Sequence, residues 1–386
     1  MSSLPSSNES VKRTRRECEG DFYEIKNEQK RMTYYYIAFI IAFIIQFVPV
    51  KKDKQFIRRL FFTFLPIFLL GALRTNWTDY NSYEALYYET HRWINLSNAS
   101  EHSEYGYLIL NSIIPTWRVF LILTSAFTCF AFAYVFYKCV PPKYGWIALL
   151  LFVLASDKTF FFMFSGIRNA LAIAILCLTL TLMENRRWLV FASLTLLAMQ
   201  FHTSALLFMP LAYIVARGVQ MTKKEAWIWI GVMLVLQIIS LNSVFDDVTV
   251  FVSLNLDRYA TYAEKMEELG DTRTILIRFV SAVFVIMFVW FMRTTKLSKT
   301  ENVVCRIALL YSMSHLLGAL NYRFSQCYII FFVVGLVIMF ARWKKKDLAI
   351  LFTAFACVYL WFALFHVYMN SNNFEVVRNY QSIFNS

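Results

Sequence analysis

The chain has 386 residues, of which 59% are hydrophobic, 18% aromatic and only 16% charged. Soluble domains carry about 25% charged residues, so the composition excludes an ordinary soluble domain, and the long uniform apolar runs exclude the short alternating strands of a membrane β-barrel. The formal charge of +13 does not point to nucleic acid, because the basic residues fall in short turns between apolar runs, as in the cytoplasmic loops of helical membrane proteins.

In chain order, residues 1–31 form a charged extension in which Lys12, Arg13, Arg15, Arg16, Lys30 and Arg31 are nearly balanced by acids. Two readings fit: a nearly neutral tail tolerated on the outer face, or an extension upstream of a native start at Met32, the second being the expected one. A cleavable signal peptide is not visible. About twelve apolar runs are expected to be membrane helices: 33–50, 56–73, 117–137, 144–163, 167–183, 188–201, 204–216, 226–241, 275–292, 303–320, 324–341 and 348–366. The fold class is therefore an all-α polytopic transmembrane bundle over residues 32–366, with a short tail at 367–386. The runs at 188–201 and 204–216 are short, so they fit either two crossings or a re-entrant pair. Seven cysteines lie mostly inside apolar runs and form no CxxC, which suits small apolar packers rather than a disulfide or metal framework.

Alternate turns carry the cations, among them Lys51 and Lys52, Lys138 and Lys143, Arg186 and Arg187, and Arg342 to Lys346. Placing this set in the cytoplasm puts Arg74, Asp79, Arg168, His202 and Arg323 on the outer face. Two sizeable outer loops, 74–116 and 242–274, are expected, neither with obvious secondary structure of its own. At 1.5 Å per residue, Arg168 to Arg186 spans ~27 Å, about one hydrocarbon core. The return leg has nearly the same reach, so His202 comes back to the level of Arg168.

Arg168 and Arg323 each open a helix on that outer face, where a cation opposes the helix dipole and the charge rule alike. A paired carboxylate or a snorkelling anchor would account for either one. An anion site would too, since helix N-terminal amides and arginine suit phosphate, and Ser165-Gly166 before Arg168 lets backbone approach a ligand closely. His202, in Phe201-His202-Thr203-Ser204, fits an interfacial hydrogen-bonded residue or a general acid or base. His315 lies mid-helix and reads as a core histidine bonded to serines. Asp79 with Tyr80 and Tyr83 has sugar-binding chemistry, a carboxylate for hydroxyls and rings for the apolar sugar face; Glu104-Tyr105-Gly106-Tyr107 repeats it. A solvated acidic loop fits the same residues. Nucleotide-binding and hydrolase signatures are missing, as is any Asp-x-Asp pair, which favours a lipid-linked donor over metal-dependent nucleotide-sugar chemistry. No metal or other cofactor is expected.

Taken together, Arg74…Thr78-Asp79-Tyr80…Tyr83, Glu104-Tyr105-Gly106-Tyr107…Asn111, Ser165-Gly166-Ile167-Arg168-Asn169-Ala170, Phe201-His202-Thr203-Ser204-Ala205 and Asn321-Tyr322-Arg323-Phe324 resemble the EpsG family of bacterial membrane proteins, related to the Wzy polysaccharide polymerases. The resemblance runs from about residue 32 to about residue 341, and Asn76 and Trp77 depart from it where a small residue is expected. It implies polymerisation of oligosaccharide units carried on undecaprenyl diphosphate, into exopolysaccharide, capsule or O-antigen, at the outer face of the bacterial inner membrane. It also implies flippase and chain-length regulator proteins as partners beside the lipid bilayer. On this view His202, Asp79 and Arg168 are catalytic, and Arg74, Tyr80, Tyr83, Glu104 and Arg323 bind substrate, Arg168 and Arg323 holding the diphosphate. A glycolipid flippase should instead bury charge near the membrane midplane. A glycan-modifying acyltransferase would want an intramembrane histidine such as His315.

Overall fold

The computed structural model describes residues 34–77, 79–91, 104–155, 159, 162–241, 271–316 and 321–366, without the side chains at 162, 240, 241, 271–275 and 321–324. The expected extension at 1–31, most of the second loop and the tail at 367–386 lie outside the described residues. Within them the chain is all helical, with sixteen α-helices and no strand.

The helices are α1 (Tyr34–Ile45), α2 (Asp53–Leu73), α3 (Tyr80–Thr90), α4 (Tyr105–Ile113), α5 (Trp117–Cys139), α6 (Gly145–Leu154), α7 (Phe162–Ser165), α8 (Ile167–Leu178), α9 (Leu180–Glu184), α10 (Trp188–Met199) and α11 (Ala205–Val215). They continue with α12 (Lys223–Leu241), α13 (Asp271–Thr294), α14 (Lys299–Ser314), α15 (Asn321–Arg342) and α16 (Lys346–Tyr359), the last running into a π-helical turn at Leu360–His366.

Five of these elements are long and apolar enough to cross a membrane: α2, α5, α13, α15, and α16 with its π-helical turn. Five shorter apolar helices accompany them: α1, α6 with the 3-10 turn before it, α8, α10 and α11. The expected count of about twelve is therefore not reproduced, because uninterrupted apolar runs hide breaks in the backbone. The run at 167–183 is two helices, α8 and α9, parted at Thr179, whose N–H is shared between the carbonyls of Ile175 and Leu176. The run at 144–163 stops at Leu154. There Thr159 donates its hydroxyl to the carbonyls of Phe152, at 2.6 Å, and Ala155, at 2.9 Å, satisfying groups a helix end leaves unpaired.

The bundle is built around α15, which packs along α14 and is 83% buried over its spanning window, against 28% for α16 at the periphery. α2 lies on α5, α5 on α8, and α13 on α14. Polar bonds between helices pin the packing, as apolar contact alone discriminates poorly in lipid. Tyr328 of α15 donates its hydroxyl to the Phe208 carbonyl of α11 at 2.7 Å, and Asn169 of α8 donates to Gln326 of α15 at 3.4 Å.

The short runs around His202 resolve into an antiparallel hairpin, α10 and α11. Arg186, in the turn before α10, stacks its guanidinium 4.1 Å over the Tyr213 ring and donates to the carbonyls of Tyr213 and Ala216 at the end of α11. Both open ends of the hairpin therefore sit at the level of Arg186, and its closed end carries His202. The hairpin runs between the same two levels as α8 and α9.

The segment 74–116, expected as a loop, is not structureless. Residues 80–90 and 105–113 are the helices α3 and α4, packed on each other and on α5. The signal was the tyrosine spacing: Tyr80, Tyr83 and Tyr87 recur at helical intervals, and these rings turn inward. Tyr87 donates to the Ile114 carbonyl at 2.7 Å, and Ser112 to the Thr90 carbonyl at 2.8 Å.

Candidate functional site

The N-termini of α4, α8 and α11 meet at one end of the bundle. Glu104 is the N-cap residue of α4, yet its side chain does not cap that helix. It reaches outward instead. Glu104 Oε2 lies 2.8 Å from Arg168 Nη1, in the first turn of α8. Glu104 Oε1 accepts from the Thr203 backbone N–H at 3.1 Å and from its hydroxyl at 3.2 Å, just before α11. One carboxylate thus ties three chain segments together. The arrangement needs α4 to lie close against the end of α10. Gly106 permits this, since a Cβ there would sit 2.5 Å from Gln200 Cβ and 2.8 Å from the Gln200 carbonyl oxygen. The neighbouring Tyr107 N–H donates to that same carbonyl at 3.1 Å.

Two tyrosines wall the arginine. The Arg168 guanidinium lies 5.8 Å from the Tyr83 ring centroid and 6.0 Å from that of Tyr107, within cation–π range. The two rings are 5.8 Å apart and steeply tilted. Arg168 stays 29% exposed and Glu104 19% exposed, so the pair is lined on one side and open on another.

The electrostatics follow. Burial pushes the Glu104 carboxyl up, but Arg168, the Thr203 N–H, its own backbone and His202 together hold it below the ordinary carboxylate value. Burial raises the Tyr83 hydroxyl; Arg168 opposes the shift and the Asp79 charge adds to it. Burial also raises Tyr107 well above the ordinary value. Both tyrosines are neutral at physiological pH and the carboxylate is charged.

The other expected site residues are placed as follows. His202 is half-buried, with Nδ1 2.6 Å from Ser204 Oγ. Asp79 is exposed at the N-cap of α3 in a left-handed conformation, φ 62°, and its carbonyl accepts the Tyr83 N–H. Tyr80 is only 6% exposed; its ring packs on Trp117, and its hydroxyl accepts the indole N–H at 2.8 Å. Tyr80 thus sits in the packing between α3 and α5 rather than on the surface. Arg74 is 1% exposed and donates to the carbonyls of Gly71 and Phe164 and to Ser125. Its position is that of an anchor joining α2, α5 and α7. Arg323 lies in the first turn of α15, and its side chain is outside the described residues. The Asn169–Gln326 and Tyr328–Phe208 bonds nevertheless hold the first turns of α15 against α8 and α11. His315 is buried, with Nδ1 3.0 Å from the Tyr311 carbonyl oxygen and its ring against Tyr311, the setting of a core histidine.

Thr203, Ser204 and Gly106 lay inside the motifs quoted above but carried no role there. Their only signal was proximity in sequence to His202 and Glu104; the contacts they make span the fold. Trp77, out of place in the expected small-residue pattern, is 2% exposed and packs edge-on against Phe164 and Tyr35. It fastens the segment after α2 to α7 and α1.

Among the described residues, no group of three His, Cys, Asp or Glu comes together with metal-binding geometry. No curated protein and no solved structure matches this chain. The family model described as the EpsG family matches residues 57–382, starting later and reaching further than the resemblance in the motifs alone. With a match over most of its length, and with the Ser-Gly-Ile-Arg and Phe-His-Thr-Ser motifs joined at one site, the chain belongs to the EpsG family.

Proposed function

We propose that this protein is a membrane glycosyltransferase that polymerises oligosaccharide units carried on undecaprenyl diphosphate. The reaction would take place at the outer face of the bacterial inner membrane, without a metal. The observation that carries this reading is the partly exposed ion pair between Arg168 and Glu104, set where three helix N-termini meet. Helix N-terminal amides and a guanidinium both favour an anion. In the transfer, the bond from the anomeric carbon to the diphosphate breaks and negative charge builds on the leaving oxygens. A preplaced cation stabilises that charge more than it stabilises the ground state, which lowers the barrier.

Roles follow from position. Arg168 leaves Glu104 to take the diphosphate, with Arg323 supplying a second cation from the adjacent helix end. Tyr83 and Tyr107 offer rings and neutral hydroxyls to the sugar. His202 and Asp79 handle the hydrogen-bonding and proton demands of the acceptor and leaving groups. Family membership supports the substrate class, and the clustering of charge at one end of the bundle favours this reading over a flippase.

The decisive experiment supplies purified protein in lipid vesicles with one lipid-linked repeat unit and no nucleotide. Ladders of lengthened product support the reading. Transbilayer movement of the unit without lengthening would replace it with a flippase. In cells, loss of the gene should leave single units stalled on the carrier.

A further inference from the structure

His202 enters the site from the turn between α10 and α11, and its contacts are specific about its proton. Nδ1 lies 2.6 Å from Ser204 Oγ and 3.3 Å from the Ser204 backbone nitrogen. A backbone N–H can only donate, and a ring nitrogen accepts only when it carries no proton. The Ser204 N–H therefore makes Nδ1 an acceptor, and the hydroxyl beside it turns its hydrogen to the same lone pair. A neutral imidazole holds one proton, so the hydrogen-bond network assigns that proton to Nε2. The arrangement has a local cause. Ser204 stands at the N-terminus of α11, where backbone N–H groups lack helical acceptors, and its own side chain caps none of them. The imidazole takes that place.

We propose that Ser204 is a positioning residue that holds His202 in its Nε2–H tautomer, so that His202 meets the donor's diphosphate as a hydrogen-bond donor and does not act as the base. The substrate in this statement rests on the polymerase reading above; the tautomer does not. Nε2 already carries its proton, so taking another from a sugar hydroxyl at Nδ1 would require both Ser204 contacts to break. A donor near Arg168 adds a second N–H to the charge that develops on the leaving oxygens. The acceptor proton then passes to a carboxylate. Asp79, exposed at the N-cap of α3 and joined to Tyr83 by the 3.0 Å bond from the Tyr83 N–H to its carbonyl, is the carboxylate we assign to this step. The step balances: the carbon–oxygen bond to the diphosphate breaks with its electron pair, the acceptor oxygen bonds the anomeric carbon, and its proton ends on the carboxylate.

Two substitutions separate donor from base. Glutamine places its amide N–H near the position of Nε2, and asparagine places one near Nδ1. His202→Gln should retain elongation within about tenfold of wild type, while His202→Asn and His202→Ala lose about 100-fold or more. A His202→Gln protein as inactive as His202→Ala would overturn the donor role. Nitrogen-15 NMR of histidine-labelled protein, with His202→Gln used to assign the signal, reads the tautomer without any assay. Wild type and Ser204→Thr should carry the proton on Nε2, and Ser204→Ala should shift toward a mixture. A proton on Nδ1 in the wild type would sink the inference whatever the activity. If instead Arg168→Ala still lengthened polymer normally, the polymerase site would be misplaced and the tautomer assignment would stand.

Discussion

Two arginine–glutamate pairs sit at opposite ends of the bundle, and they are built differently. At the basic end, Arg306 of α14 is 1% exposed, engages both oxygens of Glu225 from α12, and donates to the Val219 carbonyl at 3.2 Å. At the other end, Arg168 touches one oxygen of Glu104, remains 29% exposed, and leaves the second oxygen to Thr203. A two-pronged, buried guanidinium cannot change partners without exposing a buried charge, whereas a half-open one that holds a single carboxylate oxygen can do so at lower cost. The same residue types thus form a closed fastening in one place and, on the proposed reading, an anion site in the other. What separates them is burial of the guanidinium and its grip on the carboxylate, not composition.

The largest expected effect is on catalysis at the open pair. Arg168→Ala should lower elongation by about 10²–10³-fold, the usual loss when one transition-state donor is removed, while changing thermal stability in detergent by less than about 1 kcal/mol. Equal losses of stability and activity would erase the distinction between the two pairs. Gly106→Ala should approach the same catalytic loss, about 100-fold. The added methyl would push α4 from the end of α10 and carry Glu104 away from Thr203. Normal elongation in that variant would show that the three-segment junction is not needed.

At the sealed pair the order reverses. Arg306→Ala should cost about 3 kcal/mol, the low end for breaking a buried ion pair because Glu225 keeps some solvent contact. Thermal melting of purified protein would show it, and the surviving folded fraction should elongate normally.

The open pair should also be robust to acid. The carboxyl of Glu104 is held below its ordinary value of 4.5. A carboxyl depressed in the fold contributes stability in full above its unfolded value, and loses it as pH falls through the folded one. The pair should therefore persist throughout the neutral range and weaken only in acid below 4.5. An infrared carboxylic-acid band, assigned by difference against Glu104→Gln, should stay absent at about pH 5; its presence there would mean that Arg168 is not close. The smallest effect belongs to the basic end. Ser298 caps α14 in a box with Glu301, whose carboxylate also meets Arg342 at 2.7 Å. Ser298→Ala should cost about 1 kcal/mol in melting experiments and nothing in elongation.

Much of the molecule could be read before its shape was known. Apolar run length and the placement of cations are properties of the chain itself, because bilayer thickness and the cost of burying charge act on each segment alone. They identified an all-helical membrane protein and a return of His202 to the level of Arg168. Helix breaks at Thr179 and after Leu154 were not legible, because a side-chain hydroxyl turned onto a backbone carbonyl leaves no mark on hydropathy. Nor was the sorting of Arg74 from Arg168. Both looked like outer-face cations, and only packing against Phe164 and Ser125 encloses one while leaving the other open. Glu104 reaches Thr203 across 99 positions, and Arg168 across 64. Distances of that kind exist only once the helices have docked, because a hydrogen bond depends on ångströms in space and is indifferent to separation along the chain.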